Sequence, residues 1–82
     1  MARQVIVRTG ADLGVALAEA RAARGMTQEE VAAATGVDRT YLARMERGLS
    51  VHLIDRALRV LRRLGAEVSV TLPEEASHDG EA

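Results

Sequence analysis

The tightest constraint on the fold is the punctuation of residues 27 to 48. Thr27 with Glu30 three positions on is a capping-box pattern, in which a hydroxyl and a carboxylate take up the free N–H groups of a starting helix. Gly36 is a stop, because glycine tolerates the left-handed conformation that closes a helix. Asp38 is the next N-cap, and Gly48 the next stop. These signals predict one helix over about residues 28 to 35 and another running from Asp38 to about Arg47. The turn at Gly36 and Val37 is too short to let them separate. Ala32 offers a small side chain for a close crossing, and Val31, Val37, Leu42 and Met45 sit where the pair turns inward. The free side of the second helix is polar, carrying Arg39, Thr40, Ala43, Arg44 and Arg47 with Tyr41 alongside.

The flanking chain reads by the same signals. Residues 4 to 8 are rich in β-branched side chains and predict a strand. Thr9 and Asp12 form a capping-box-like pair, and a run with Leu13, Leu17 and Ala20 on one face predicts a first helix ending near Gly25. Gly14 inside that run weakens it. A fourth helix is expected to begin at Ser50 and stop at Gly65. Along it Leu53, Ile54, Ala57, Leu58, Val60, Leu61 and Leu64 fall within an arc of roughly 160°, wider than one core contact requires. Residues 67 to 72 alternate polar and apolar, the period of a half-buried strand, and Pro73 ends the pattern. The order is strand, four helices, strand, with no internal repeat.

Composition excludes several function classes. Eighty-two residues make one small domain. With no Cys and only two separated His (His52 and His78), nothing can build a disulfide framework, a zinc site or a Cys/His catalytic pair. No Ser/His/Asp or paired-carboxylate constellation occurs either, so neither an enzyme nor a cofactor or metal is expected. No stretch approaches the ~20 apolar residues that span a bilayer, and the first residues carry too short an apolar run for a signal peptide. A cytoplasmic protein is expected.

The net charge of −1 argues at first against a nucleic-acid partner. Its distribution reverses that reading. Residues 39 to 63 hold seven Arg against Glu46 and Asp55, a charge of +5, whereas residues 74 to 82 hold four acids and no cation. Those last nine residues have almost nothing apolar to bury and read as a disordered acidic tail. Residues 1 to 73, with eleven Arg against eight acids, form a domain of +3.

The twenty residues 28 to 47 have the size of a helix-turn-helix unit. Arg-Gly-Met-Thr-Gln-Glu-Glu-Val-Ala, then Thr-Gly-Val, then Tyr-Leu-Ala-Arg-Met-Glu-Arg-Gly, within residues 24 to 48, resembles the Cro/C1-type (Xre) helix-turn-helix family of phage repressors and bacterial regulators. The likeness extends over about residues 12 to 65. The strands at both ends, and the close Leu-Gly-Ala-Glu-Val-Ser-Val-Thr-Leu, resemble the HipB-type antitoxins within that family. The resemblance implies a mainly helical, lambda-repressor-like four-helix domain with short terminal strands that pair in a dimer. It also implies readout of the DNA major groove by the second helix of the unit, with Arg39, Thr40 and Arg44 at base edges. Gln28 is carried over as a backbone and positioning contact at a helix N-terminus. Thr27 and Arg47 are expected to position, and Tyr41 to meet a phosphate or lie on the domain. By the family pattern Arg21 pairs with Glu46. Arg56, Arg59, Arg62 and Arg63 could meet phosphate, the tail or a partner, or simply be solvated.

Isolated strands must find partners, either each other or a second chain. A small core, the wide apolar arc of the fourth helix, and Val68, Val70 and Leu72 favour a two-fold homodimer with strands paired between chains. Its two reading helices would meet the half-sites of a palindromic double-stranded operator roughly 34 Å apart, or a multiple of that. The expected function is a repressor that is also the antitoxin of a toxin–antitoxin pair, binding a HipA-type kinase. The alternative is a stand-alone regulator of the same family with no toxin partner.

Overall fold

The computed structural model describes residues 3–75. Strand β1 (Gln4–Val7) leads into helices α1 (Gly10–Ala23), α2 (Gln28–Thr35), α3 (Arg39–Glu46) and α4 (His52–Arg63), and strand β2 (Val68–Thr71) follows. The fold is mainly helical.

Local capping chemistry sets the first three helix starts. At α1 the Thr9 hydroxyl accepts from the Asp12 N–H at 3.1 Å, while the Asp12 carboxylate accepts from the N–H groups of Thr9 and Arg8 at 3.2 and 2.9 Å. At α2 the same reciprocal pair forms between Thr27 and Glu30, at 3.1 and 2.8 Å. At α3 the Asp38 carboxylate accepts from the Tyr41 N–H at 3.1 Å. Gly36 adopts φ 79°, the left-handed turn that lets α3 double back on α2.

Long-range packing explains what lies between. Gly14 sits where α1 crosses α3, and a Cβ there would lie 2.2 Å from the Met45 carbonyl oxygen. Its lack of a side chain is therefore a packing requirement that outweighs its helix propensity. At the start of α1, a Cβ on Gly10 would lie 2.4 Å from Val51 Cγ2, and the Gly10 N–H donates to Asp55 of α4 at 2.6 Å. Asp55 thereby ties the α1 N-terminus to α4, and Arg62 adds a hydrogen bond to the Arg8 carbonyl. Among the described residues the buried apolar side chains are Val7, Ala16, Leu42, Val51, Leu58 and Leu72, a thin core with no aromatic ring.

β1 and β2 pair antiparallel, with Val5 opposite Val70 and Val7 opposite Val68. Of the two partners open to the strands, each other or a second chain, the facing edges of both take the first. The Leu72 N–H extends the ladder to the Arg3 carbonyl at 2.7 Å. Leu72 is buried in its own chain's core, so it offers no surface to a partner, whereas Val68 and Val70 are half-buried.

The expected helix start at Ser50 is also corrected. Ser50 has φ 59°, and α4 begins two residues later with no side-chain cap. The wide apolar arc of α4 resolves into two seams. Ile54, Leu58 and Leu61 turn toward the core, while Leu53, Ala57, Val60 and Leu64 face outward, with Leu53 80% and Leu64 75% exposed. Among the described residues no helix is long and apolar enough to cross a membrane. Of the acidic tail read over residues 74 to 82, residues 76–82, His78 included, lie outside the described residues.

Candidate nucleic-acid interface

α3 is held from behind by an ionic knot. The Arg21 guanidinium of α1 donates Nε to Glu46 Oε2 at 2.8 Å and Nη2 to Glu46 Oε1 at 2.9 Å, and its Nη1 reaches the Met26 carbonyl at 3.0 Å. Gln28 of α2 donates its amide to Glu46 Oε1 at 3.0 Å. One carboxylate on α3 thus gathers α1 and α2, and the pairing expected for Arg21 is present in bidentate form. The hydrogen bonds from Arg21 hold the Glu46 carboxyl below the usual carboxylate range; burial opposes them, and Gln28 adds to the lowering. The same hydrogen bonds raise the Arg21 guanidinium above its ordinary value.

With Leu42 buried and Met45 and Glu46 turned inward, the opposite side of α3 is left to solvent. Thr40, Arg44 and Arg47 are spaced by four and three residues, so they stand one above another on that side, with half-buried Ala43 beside them. All three are exposed, and none has an acidic partner among the described residues.

The other sequence-predicted residues flank this row. Arg39 lies at its edge, 3.9 Å from Glu29 of α2 in an exposed pairing that contributes little. Tyr41 is 47% exposed at the start of α3. Thr27 is exposed, with its hydroxyl already accepting from Glu30. Gln28 is half-buried, and its side chain reaches across to α3.

Sequence reasoning missed one member. The Arg44 Nε–H donates to the Ser50 hydroxyl at 3.0 Å. No local signal marks that pair, because it depends on the left-handed turn at Ser50. Among the described residues no cluster of three or more metal-ligating side chains occurs. The arrangement is a braced helix displaying guanidinium and hydroxyl donors on one open side, a geometry that suits binding rather than catalysis.

Comparison with known proteins agrees with this geometry. The profile of a helix-turn-helix family, HTH_3, matches residues 17–70. The chain is similar to the uncharacterized HTH-type transcriptional regulator y4mF of Sinorhizobium fredii (strain NBRC 101917 / NGR234). The two are 29% identical over 69 residues, covering 84% of this chain and 91% of that protein. No solved structure matches the chain at a comparable level.

Proposed function

The chain belongs to the helix-turn-helix family of the Cro/C1 type, DNA-binding regulators without catalytic activity, and we propose that it is a sequence-specific transcriptional repressor reading a palindromic operator as a homodimer. The observation that carries this reading is the open row of Thr40, Arg44 and Arg47 on a helix braced by the Arg21–Glu46–Gln28 knot.

α3 enters the major groove with Thr40 and Arg44 of this row toward the bases. Arg44 donates to a guanine O6/N7 edge, a contact worth about 1–3 kcal/mol of discrimination. Thr40 reaches the neighbouring base, and Arg39 works from the edge of the row after exchanging Glu29 for DNA. Thr27 and Gln28 at the start of α2, with Tyr41 and Arg47, set the register on the phosphates. In that role Gln28 acts through its main-chain N–H and through its hold on Glu46.

A second copy covers the outer seam of α4. Leu53, Ala57, Val60 and Leu64 recur at intervals of four, three and four residues, the spacing at which two helices interlock side chains. Burying a Leu or Val completely contributes about 1.5–3 kcal/mol. The thin core of the single chain gains most from such burial. Val68 and Val70, half-buried on the strand, extend the surface available to the partner.

Within this reading the protein is the antitoxin of a pair, holding a HipA-type kinase and repressing its own promoter. The HipB-like terminal strands support that narrower role. Two experiments test the proposal. Footprinting on DNA selected from a random pool should show two half-sites about 34 Å apart, or a multiple of that; one isolated half-site contradicts the dimer. Co-expression with the adjacent reading frame should yield a stable complex with a kinase. A neighbouring frame that encodes none leaves a stand-alone regulator.

A further inference from the structure

We propose that Ser50 is a positioning residue that sets the sequence specificity of Arg44. The inference rests on the groove-reading role of α3 given above. Three observations support it. The Arg44 Nε–H donates to Ser50 Oγ at 3.0 Å. Ser50 holds φ 59°, a left-handed conformation that costs a non-glycine residue energy and that no other described non-glycine residue adopts. The turn around it is tied at both ends: the Leu49 N–H donates to the Arg44 carbonyl at 2.8 Å, and Val51 is buried against Gly10.

The chain therefore leaves α3, folds back on the residue that carries the guanidinium, and presents a hydroxyl to it. A guanidinium has five N–H donors in a planar fork. Ser50 takes the one on Nε, and no other described residue takes those on Nη1 and Nη2. These end groups point in parallel and match two acceptors on one base edge. Fixing Nε selects the end-on fork over the side-on one and removes rotamer freedom before DNA arrives. The left-handed turn sends Val51 into the core and the hydroxyl to Arg44 together.

The test uses the full chain and two duplexes, one selected from a random pool by the unsubstituted protein and one of scrambled sequence. The readout is the ratio of the two affinities. Ser50→Gly suits the left-handed turn and removes only the hydroxyl, so its melting temperature should hold or rise while the ratio falls about 3- to 10-fold. Ser50→Asn, which tolerates the turn and supplies a carbonyl acceptor, should recover part of the loss. Combined with Arg44→Ala, Ser50→Gly should have no further effect. If Arg44→Ala lowers the ratio and Ser50→Gly leaves it unchanged, the positioning role is overturned. Equal losses on both duplexes overturn it too, because Ser50 would then touch phosphate itself. If Arg44→Ala does not change the ratio, the reading role of Arg44 fails first and this inference fails with it.

Discussion

The guanidinium of Arg21 and the carboxylate of Glu46 meet edge to edge across α1 and α3, at 2.8 and 2.9 Å. The Arg21 side chain is 23% exposed and that of Glu46 only 6%. Removing the arginine strands a buried carboxylate, which costs more than the pair itself contributes. Arg21→Met should lower stability by about 3 kcal/mol in urea denaturation, and adding Glu46→Leu should restore most of it. A double variant as unstable as the single one would show that the pair is needed for more than mutual compensation.

The same contact predicts acid sensitivity. Glu46 is held below the ordinary carboxylate range in the fold, so the unfolded chain binds its proton more readily. Its contribution is present above the unfolded value of about 4.3 and is lost as pH falls through the folded value. The urea midpoint should therefore drop as pH falls below about 4.3. Arg21→Met should flatten that segment of the profile, and an unchanged slope would assign the acid loss to other carboxylates.

Gly14 makes a prediction opposite in sign to helix propensity. Alanine in place of glycine within a helix ordinarily gains up to about 1 kcal/mol. Here the added Cβ would lie 2.2 Å from the Met45 carbonyl, a backbone atom that moves only if α1 and α3 separate. Gly14→Ala should destabilise by about 2–3 kcal/mol, lowering the melting temperature by roughly 10 °C or more. It should also weaken DNA binding, because α3 loses its seat.

The outer seam of α4 predicts assembly. Leu53→Glu with Leu64→Glu places charge where a partner must close. Sedimentation at micromolar concentration should shift from dimer to monomer, with the operator affinity falling more than the affinity for random DNA. A wild-type chain that sediments as a monomer, or a charged variant that stays dimeric, contradicts the seam as the interface.

Features legible in the sequence were those whose chemistry is local. Thr27 with Glu30, Thr9 with Asp12, Asp38, and the stop at Gly36 each act within a few residues, and the helix starts and turn follow from them. What periodicity cannot encode is the partner. Alternation over residues 67 to 72 announces a strand but does not say that Val70 faces Val5 of the same chain. The apolar arc of α4 likewise does not show which half the core covers. Ser50 resembles an N-cap by type, yet it stands in a left-handed turn next to Val51, which is buried against Gly10 of α1. Gly14 reads as a weak point until its neighbour from α3 is known. At the candidate site the row on α3 is readable from spacing, whereas the tether from Ser50 to Arg44 and the reach of Gln28 into the ionic knot depend on tertiary contacts.

The most direct test of the reading head is the affinity of wild type and Arg44→Ala for a selected operator and for a random duplex, across a salt series. Wild type should prefer the operator, with affinity for both DNAs falling steeply as salt rises. Arg44→Ala should lose about 10- to 100-fold on the operator and only a few-fold on random DNA. Equal losses on the two duplexes, or no loss on either, would contradict the claim that the outer face of α3 reads the bases.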